Sequence, residues 1–163
     1  MNCITQEIAE HWAMYQGDCV DVLKGLPAHS ADYSIFSPPF SSLYTYSNSP
    51  RDMGNCRNDD EFFEHFGYLI TELARVMKPG RNVSFHCMLL PTSKERDGVI
   101  GLFDLPAVIR EVHEQEGWVY HSRVTIWKCP VVEMTRTKAH GLLYKTLRTD
   151  GSRVRVGMPD YLM

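Results

Sequence analysis

A chain of 163 residues that is 44% hydrophobic and carries a net charge of −3 is long enough to bury one sizeable core, and a single domain is the default at this length. It contains no apolar run long enough to cross a bilayer and shows no charged-then-apolar leader, which argues against membrane and secreted classes. The five cysteines, Cys3, Cys19, Cys56, Cys87 and Cys129, are widely spaced and form no Cys-x-x-Cys pair, so reduced structural thiols and no metal site are expected.

In chain order, the stretch from Trp12 to Gln16 reads as a first strand, closed by Gly17-Asp18, with a short helix from Cys19 towards Pro27. Asp18 stands where it can cap that helix. Tyr33 to Phe36 reads as a second strand and ends on Ser37-Pro38-Pro39-Phe40. Two prolines fix φ near −65° and push the residue before them out of the helical region, so Ser37 is extended and the loop is stiff before any ligand arrives. The polar stretch from Ser41 to Asp52, dotted with Tyr44 and Tyr46, is too long for a minimal connection and reads as a mobile flap.

Asn58-Asp59-Asp60-Glu61 then offers caps and early negative charge to a helix. Phe62, Phe66, Leu69, Ile70, Leu73, Val76 and Met77 follow at three- and four-residue spacing up to a Lys78-Pro79-Gly80 turn. Val83 to Cys87 reads as a third strand, Leu105 to Glu116 as a second long helix, and Trp118 to Trp127 as a further strand. Alternation of strand and helix argues for an α/β fold with a mostly parallel sheet flanked by helices. Both Gly17-Asp18 and Ser37 to Phe40 then fall at carboxyl ends of strands, where ligands bind in open α/β sheets. His86, on a strand, reads as a satisfied core residue ahead of a general base.

Charge is unevenly placed. Between Arg123 and Arg155 lie eight basic residues (Arg123, Lys128, Arg136, Lys138, Lys145, Arg148, Arg153, Arg155) and two acidic ones, leaving the rest of the chain nine basic and eighteen acidic. That is the pattern of a localised phosphate-binding face in a chain otherwise solvated.

Ser37-Pro38-Pro39-Phe40, with Gly17-Asp18 before it and Val76-Met77-Lys78-Pro79-Gly80 leading to Val83-Ser84-Phe85-His86 after it, resembles the S-adenosylmethionine-dependent DNA amino-methyltransferases in motif and in order. The resemblance implies a partial Rossmann-like methyltransferase fold and transfer of a methyl group to the exocyclic amino nitrogen of a flipped base. It makes Ser37, Pro38, Pro39 and Phe40 the catalytic loop. The Ser37 hydroxyl and the Pro38 carbonyl accept from the amino hydrogens, and Phe40 stacks on the base. Asp18 becomes the cofactor contact, near the adenine of S-adenosylmethionine. The partner is double-stranded DNA, with Tyr44, Tyr46, Arg136, Lys138, Lys145, Arg148, Arg153 and Arg155 as its contacts. A hydroxyl both donates and accepts, which suits cytosine N4 somewhat better than adenine N6.

Too little chain precedes Ser37 for a Gly-rich cofactor half, and no Gly-x-Gly-x-x-Gly run follows it. The expected arrangement is a permuted one, catalytic half first, and truncated. Residues 1–122 form the catalytic half, 123–157 the basic recognition region, and 158–163 the start of a strand. Such a fragment is expected to be inert alone, and its open sheet edge leaves room for a homodimer. A cytoplasmic protein of bacterial, archaeal or phage origin is expected. The rival readings are a glutamine methyltransferase of the release-factor type and a non-catalytic DNA-binding or dimerising module on the same scaffold.

Overall fold

A computed structural model describes residues 2–40, 45–92, 94–99, 101–129, 132 and 159–163. The elements are β1 (Thr5–Ile8), β2 (Ala13–Gln16), α1 (Cys19–Lys24), β3 (Ala31–Phe36), a 3-10 turn (Met53–Asn55), α2 (Asp59–Val76), β4 (Met77–Met88), β5 (Leu90–Pro91), α3 (Lys94–Asp97), β6 (Leu102–Phe103), α4 (Leu105–Gln115), β7 (Val124–Ile126) and β8 (Asp160–Leu162). The main sheet has four strands in the order β3-β4-β8-β7, and β1 with β2 and β5 with β6 form two small antiparallel sheets. The chain divides into two compact units: residues 1–35, 41–84 and 110–120, and residues 36–40, 85–109 and 121–163.

The first unit is organised by α2. Its start follows from local chemistry: the Asn58 side chain accepts from the Glu61 N–H at 2.9 Å, and Glu61 in turn accepts from the Arg57 N–H at 2.6 Å. Three acidic residues in its first turn complement the helix dipole. Phe62, Phe66, Ile70, Leu73 and Val76 form its buried stripe, as their spacing predicts. Phe62 and Phe66 stack at 6.0 Å, and the Phe66 ring lies 5.9 Å from that of His113. Arg75 donates to the carbonyls of Leu26 (3.0 Å) and Leu23 (2.8 Å), closing the open end of α1. The chain leaves α4 through Gly117, at φ 86°, with the Trp118 N–H returning to the His113 carbonyl and the Gly117 N–H to that of Glu114.

In the second unit, β8 runs antiparallel to both β4 and β7, pairing Cys87 with Tyr161 and Thr125 with Tyr161. Phe85 and Met163 exchange two further backbone hydrogen bonds, 3.0 and 2.9 Å. Pro38, Phe85, Cys87, Leu90, Leu105, Pro106 and Ile109 are among its buried apolar residues.

The expected α/β elements are present, with four departures. The Trp12–Gln16 strand belongs to a hairpin with β1 rather than to the main sheet. Lys78-Pro79-Gly80 is not a separate turn but enters β4, with Gly80 at φ 76°. The strand expected from Trp118 to Trp127 shrinks to Val124–Ile126. The expected parallel character fails at β8, because strand direction follows from how a segment enters the sheet and not from the composition of three residues. Phe66 is fully buried between Phe62 and His113, so Phe66→Ala is expected to cost about 3–5 kcal/mol, read as a lower urea midpoint at unchanged slope.

Candidate functional site

Two constellations stand out, one in each unit. In the second, β3 ends at Phe36 and delivers Ser37-Pro38-Pro39-Phe40, with Pro38 buried and Ser37 exposed. The Ser37 hydroxyl lies 3.4 Å from His86 Nδ1 and 3.3 Å from the His86 carbonyl oxygen. His86 Nε2 lies 3.0 Å from Asp160 Oδ2, and Lys128 Nζ sits 2.5 Å from the other Asp160 oxygen. The Phe40 ring is 6.2 Å from the imidazole and tilted by 49°. Asp160 is 8% exposed, so its charge is held by Lys128 and its remaining oxygen by the imidazole. Beside it on β8, Tyr161 lies under the Arg123 guanidinium at 4.7 Å.

Cys87, the residue after His86, is fully buried. Burial, reinforced by the charges of Asp104 and Asp160, pushes its thiol up to about 12. It stays protonated and inert at neutral pH.

The first unit holds a cavity of about 580 Å³ lined by Asp18, Cys19, Pro50, Arg51, His65 and Tyr68 among others, within the size range of small-molecule sites. Asp18 lines it beside Gly17, where a Cβ would lie 3.1 Å from the Cys3 Cα, a close approach that favours glycine. Asp18 Oδ1 accepts from the N–H groups of Val20 (2.9 Å) and Asp21 (3.2 Å), making it the N-cap of α1. Its Oδ2 faces Arg51 Nε at 3.2 Å, and Arg51 also forks onto Asp21 at 2.7 and 3.1 Å. The hydrogen bond from Arg51 holds the Asp21 carboxyl below its ordinary 3.8. Among the described residues, the second Asp18 oxygen faces a guanidinium that is 55% exposed, an ion pair weak enough to exchange.

Tyr46 is exposed, and its N–H donates to Asp52 Oδ2 at 3.0 Å. Asp52 also accepts from the Ser47 N–H (2.6 Å) and the Gly54 N–H (2.8 Å), and Asn55 bonds to the carbonyls of Ser47 and Ser49. Residues 45–55 thus form a hydrogen-bonded turn around Asp52. Burial raises its carboxyl, but these amides outweigh it and the net direction is down. Tyr44, Arg136, Lys138, Lys145, Arg148, Arg153 and Arg155 lie outside the described residues. The sequence reading did not single out Asp160, Lys128 or Arg51. Only the basic character of the last two was visible in advance.

No family model and no curated protein matches the chain. Solved structures do. TTHA0409 from Thermus thermophilus, named "Putative DNA Modification Methylase" and solved with S-adenosyl-L-methionine, is 19% identical at a TM-score of 0.62, over 90% of this chain and 50% of that one. Its selenomethionine derivative gives 15% and 0.57 over the same shares. PvuII DNA methyltransferase, described as cytosine-N4-specific, gives 17% and 0.60, over 92% of this chain and 48% of that one. The chain spans about half the length of these structures.

Asp18→Ala removes a helix cap and is expected to cost about 1 kcal/mol, whereas Arg51→Ala breaks only solvent-screened ion pairs and is expected to cost less. Because Arg51 lowers the Asp21 pKa, its contribution is present above the ordinary value of 3.8 and lost as pH falls through the lowered one. Urea midpoints of Arg51→Ala and the parent should differ at neutral pH and converge in acid. The likeness to the methyltransferase structures establishes the fold: this chain is α/β with a partial Rossmann-like methyltransferase architecture.

Proposed function

We propose that this chain belongs to an S-adenosylmethionine-dependent DNA amino-methyltransferase and supplies the loop that holds the exocyclic amino group of a flipped base, cytosine N4 ahead of adenine N6. The observation that carries this reading is Ser37, presented exposed at the end of β3 by two prolines, with its hydroxyl beside an imidazole. An exocyclic amino nitrogen is a poor nucleophile because its lone pair is delocalised into the ring. Acceptors fixed on its two hydrogens return density to nitrogen and orient it. The Ser37 hydroxyl and the Pro38 carbonyl are such acceptors, on a loop that needs no ordering when the base arrives. Phe40 offers a ring for the base plane, offsetting part of the unstacking cost.

S-adenosylmethionine supplies an electrophilic methyl group. Asp18 and the cavity beside it would hold its adenosine end, Asp18 Oδ2 exchanging Arg51 for the adenine amino group. The name of TTHA0409 and the specificity given for PvuII methyltransferase support DNA as substrate and cytosine N4 as the atom. The basic segment from Arg123 to Arg155 supports a phosphate-rich partner, with Arg136, Lys138, Lys145, Arg148, Arg153 and Arg155 proposed as backbone contacts and Tyr44 and Tyr46 as contacts to the opened base pair.

In the complete enzyme to which this chain is proposed to belong, Ser37→Ala is expected to lower the rate of tritiated methyl incorporation into duplex DNA about 10–100-fold. The Kd for DNA should stay within about threefold of the parent. Equal loss of both would make the hydroxyl structural and remove the main support for the reading.

A further inference from the structure

The Ser37 hydroxyl proton has two acceptors within reach, the His86 carbonyl oxygen at 3.3 Å and His86 Nδ1 at 3.4 Å, and of the two only the imidazole can keep it. Ser37 Oγ, His86 and Asp160 form a chain, 3.4 Å from hydroxyl to Nδ1 and 3.0 Å from Nε2 to carboxylate. A carboxylate only accepts, so Nε2 carries the hydrogen that bonds Asp160, and Nδ1 presents its lone pair to Ser37. The serine–imidazole contact is long, as such contacts are before a substrate closes them. Building on the methyl-transfer reading, we infer that His86, held in the Nε2–H tautomer by Asp160, is a positioning residue that takes the proton relayed by Ser37 from the methylated amino group.

The step balances. After accepting the methyl group, the substrate nitrogen carries a positive charge. One N–H bond breaks towards Ser37 Oγ while the Ser37 O–H bond breaks towards His86 Nδ1, where a new N–H bond forms. Serine ends as it began, and the positive charge passes to an imidazolium facing Asp160. The His86 side chain is 35% exposed, which lets water take the proton and reset the site. Lys128 pairs with the other Asp160 oxygen, so the carboxylate is fixed in place and orients the ring. The charged and titratable groups around the ring are Asp160 on β8, Lys128 behind it, Arg123 over Tyr161, and, along β4, Cys87 with Asp104 near its thiol. Cys87 is protonated throughout the neutral range, which leaves His86 as the group on β4 able to accept.

The tautomer is read without substrate, by long-range nitrogen-15 correlation on the imidazole of the protein. Nε2–H with a bare Nδ1 is expected; Nδ1–H would donate to Ser37 instead and overturns the relay. In methyl transfer to duplex DNA, His86→Gln keeps side-chain hydrogen bonding but cannot hold the proton. In the complete enzyme it should lower kcat about 10–100-fold and leave the Kd for DNA within about twofold. A variant with the parent's kcat, or one whose affinity for DNA falls as far as its kcat, overturns the inference. If the parent transfers no methyl group to DNA, the proposed function fails, and the imidazole spectrum still decides the relay.

Discussion

Asp160 is the constraint on which the second unit turns. It is a nearly buried carboxylate on a three-residue strand, and it holds an imidazole from β4 and an ammonium from the segment after β7. Burying a carboxylate without such partners costs several kcal/mol, so strand register, ion pair and imidazole orientation stand or fall together. The register that pairs Met88 with Asp160 and His86 with Leu162 is the one that lets His86 Nε2 reach the carboxylate. Sliding β8 by one residue would turn Asp160 to the other face of the sheet. The Phe85–Met163 hydrogen bonds extend the same ladder and pin it.

What was legible in the sequence is what local chemistry encodes. The α2 helix was readable from its Asn58 cap and apolar spacing, α4 from its apolar spacing, and Ser37-Pro38-Pro39 from the fixed dihedrals of proline. Asp18 was weighed as both helix cap and cofactor contact, and the cap is what the structure contains. His86 was read as a satisfied core residue because its partner lies 74 residues away, on a strand too short to be read as paired. Long-range pairing of that kind leaves no periodicity. The same holds for Arg51, whose fork onto Asp21 bridges 30 residues, and for the antiparallel direction of β8.

The first unit shows a different economy. Asp18 ends one strand's loop, caps a helix and faces a cavity, and Arg51 pairs with both it and Asp21. The cap uses one carboxylate oxygen and cannot be given up without loosening α1, whereas the exposed guanidinium on the other can leave at little cost. On the proposed reading, a ligand that brings its own donor to Asp18 would replace Arg51 without disturbing the helix.

If the Ser37 loop serves methyl transfer to an exocyclic base nitrogen, the methylated product reveals it: duplex DNA incubated with the complete enzyme that carries this chain and with labelled S-adenosylmethionine, digested to nucleosides and resolved by mass spectrometry. Label on N4-methylcytosine is expected. Label on a ring carbon, on protein glutamine, or on no nucleoside at all would contradict it.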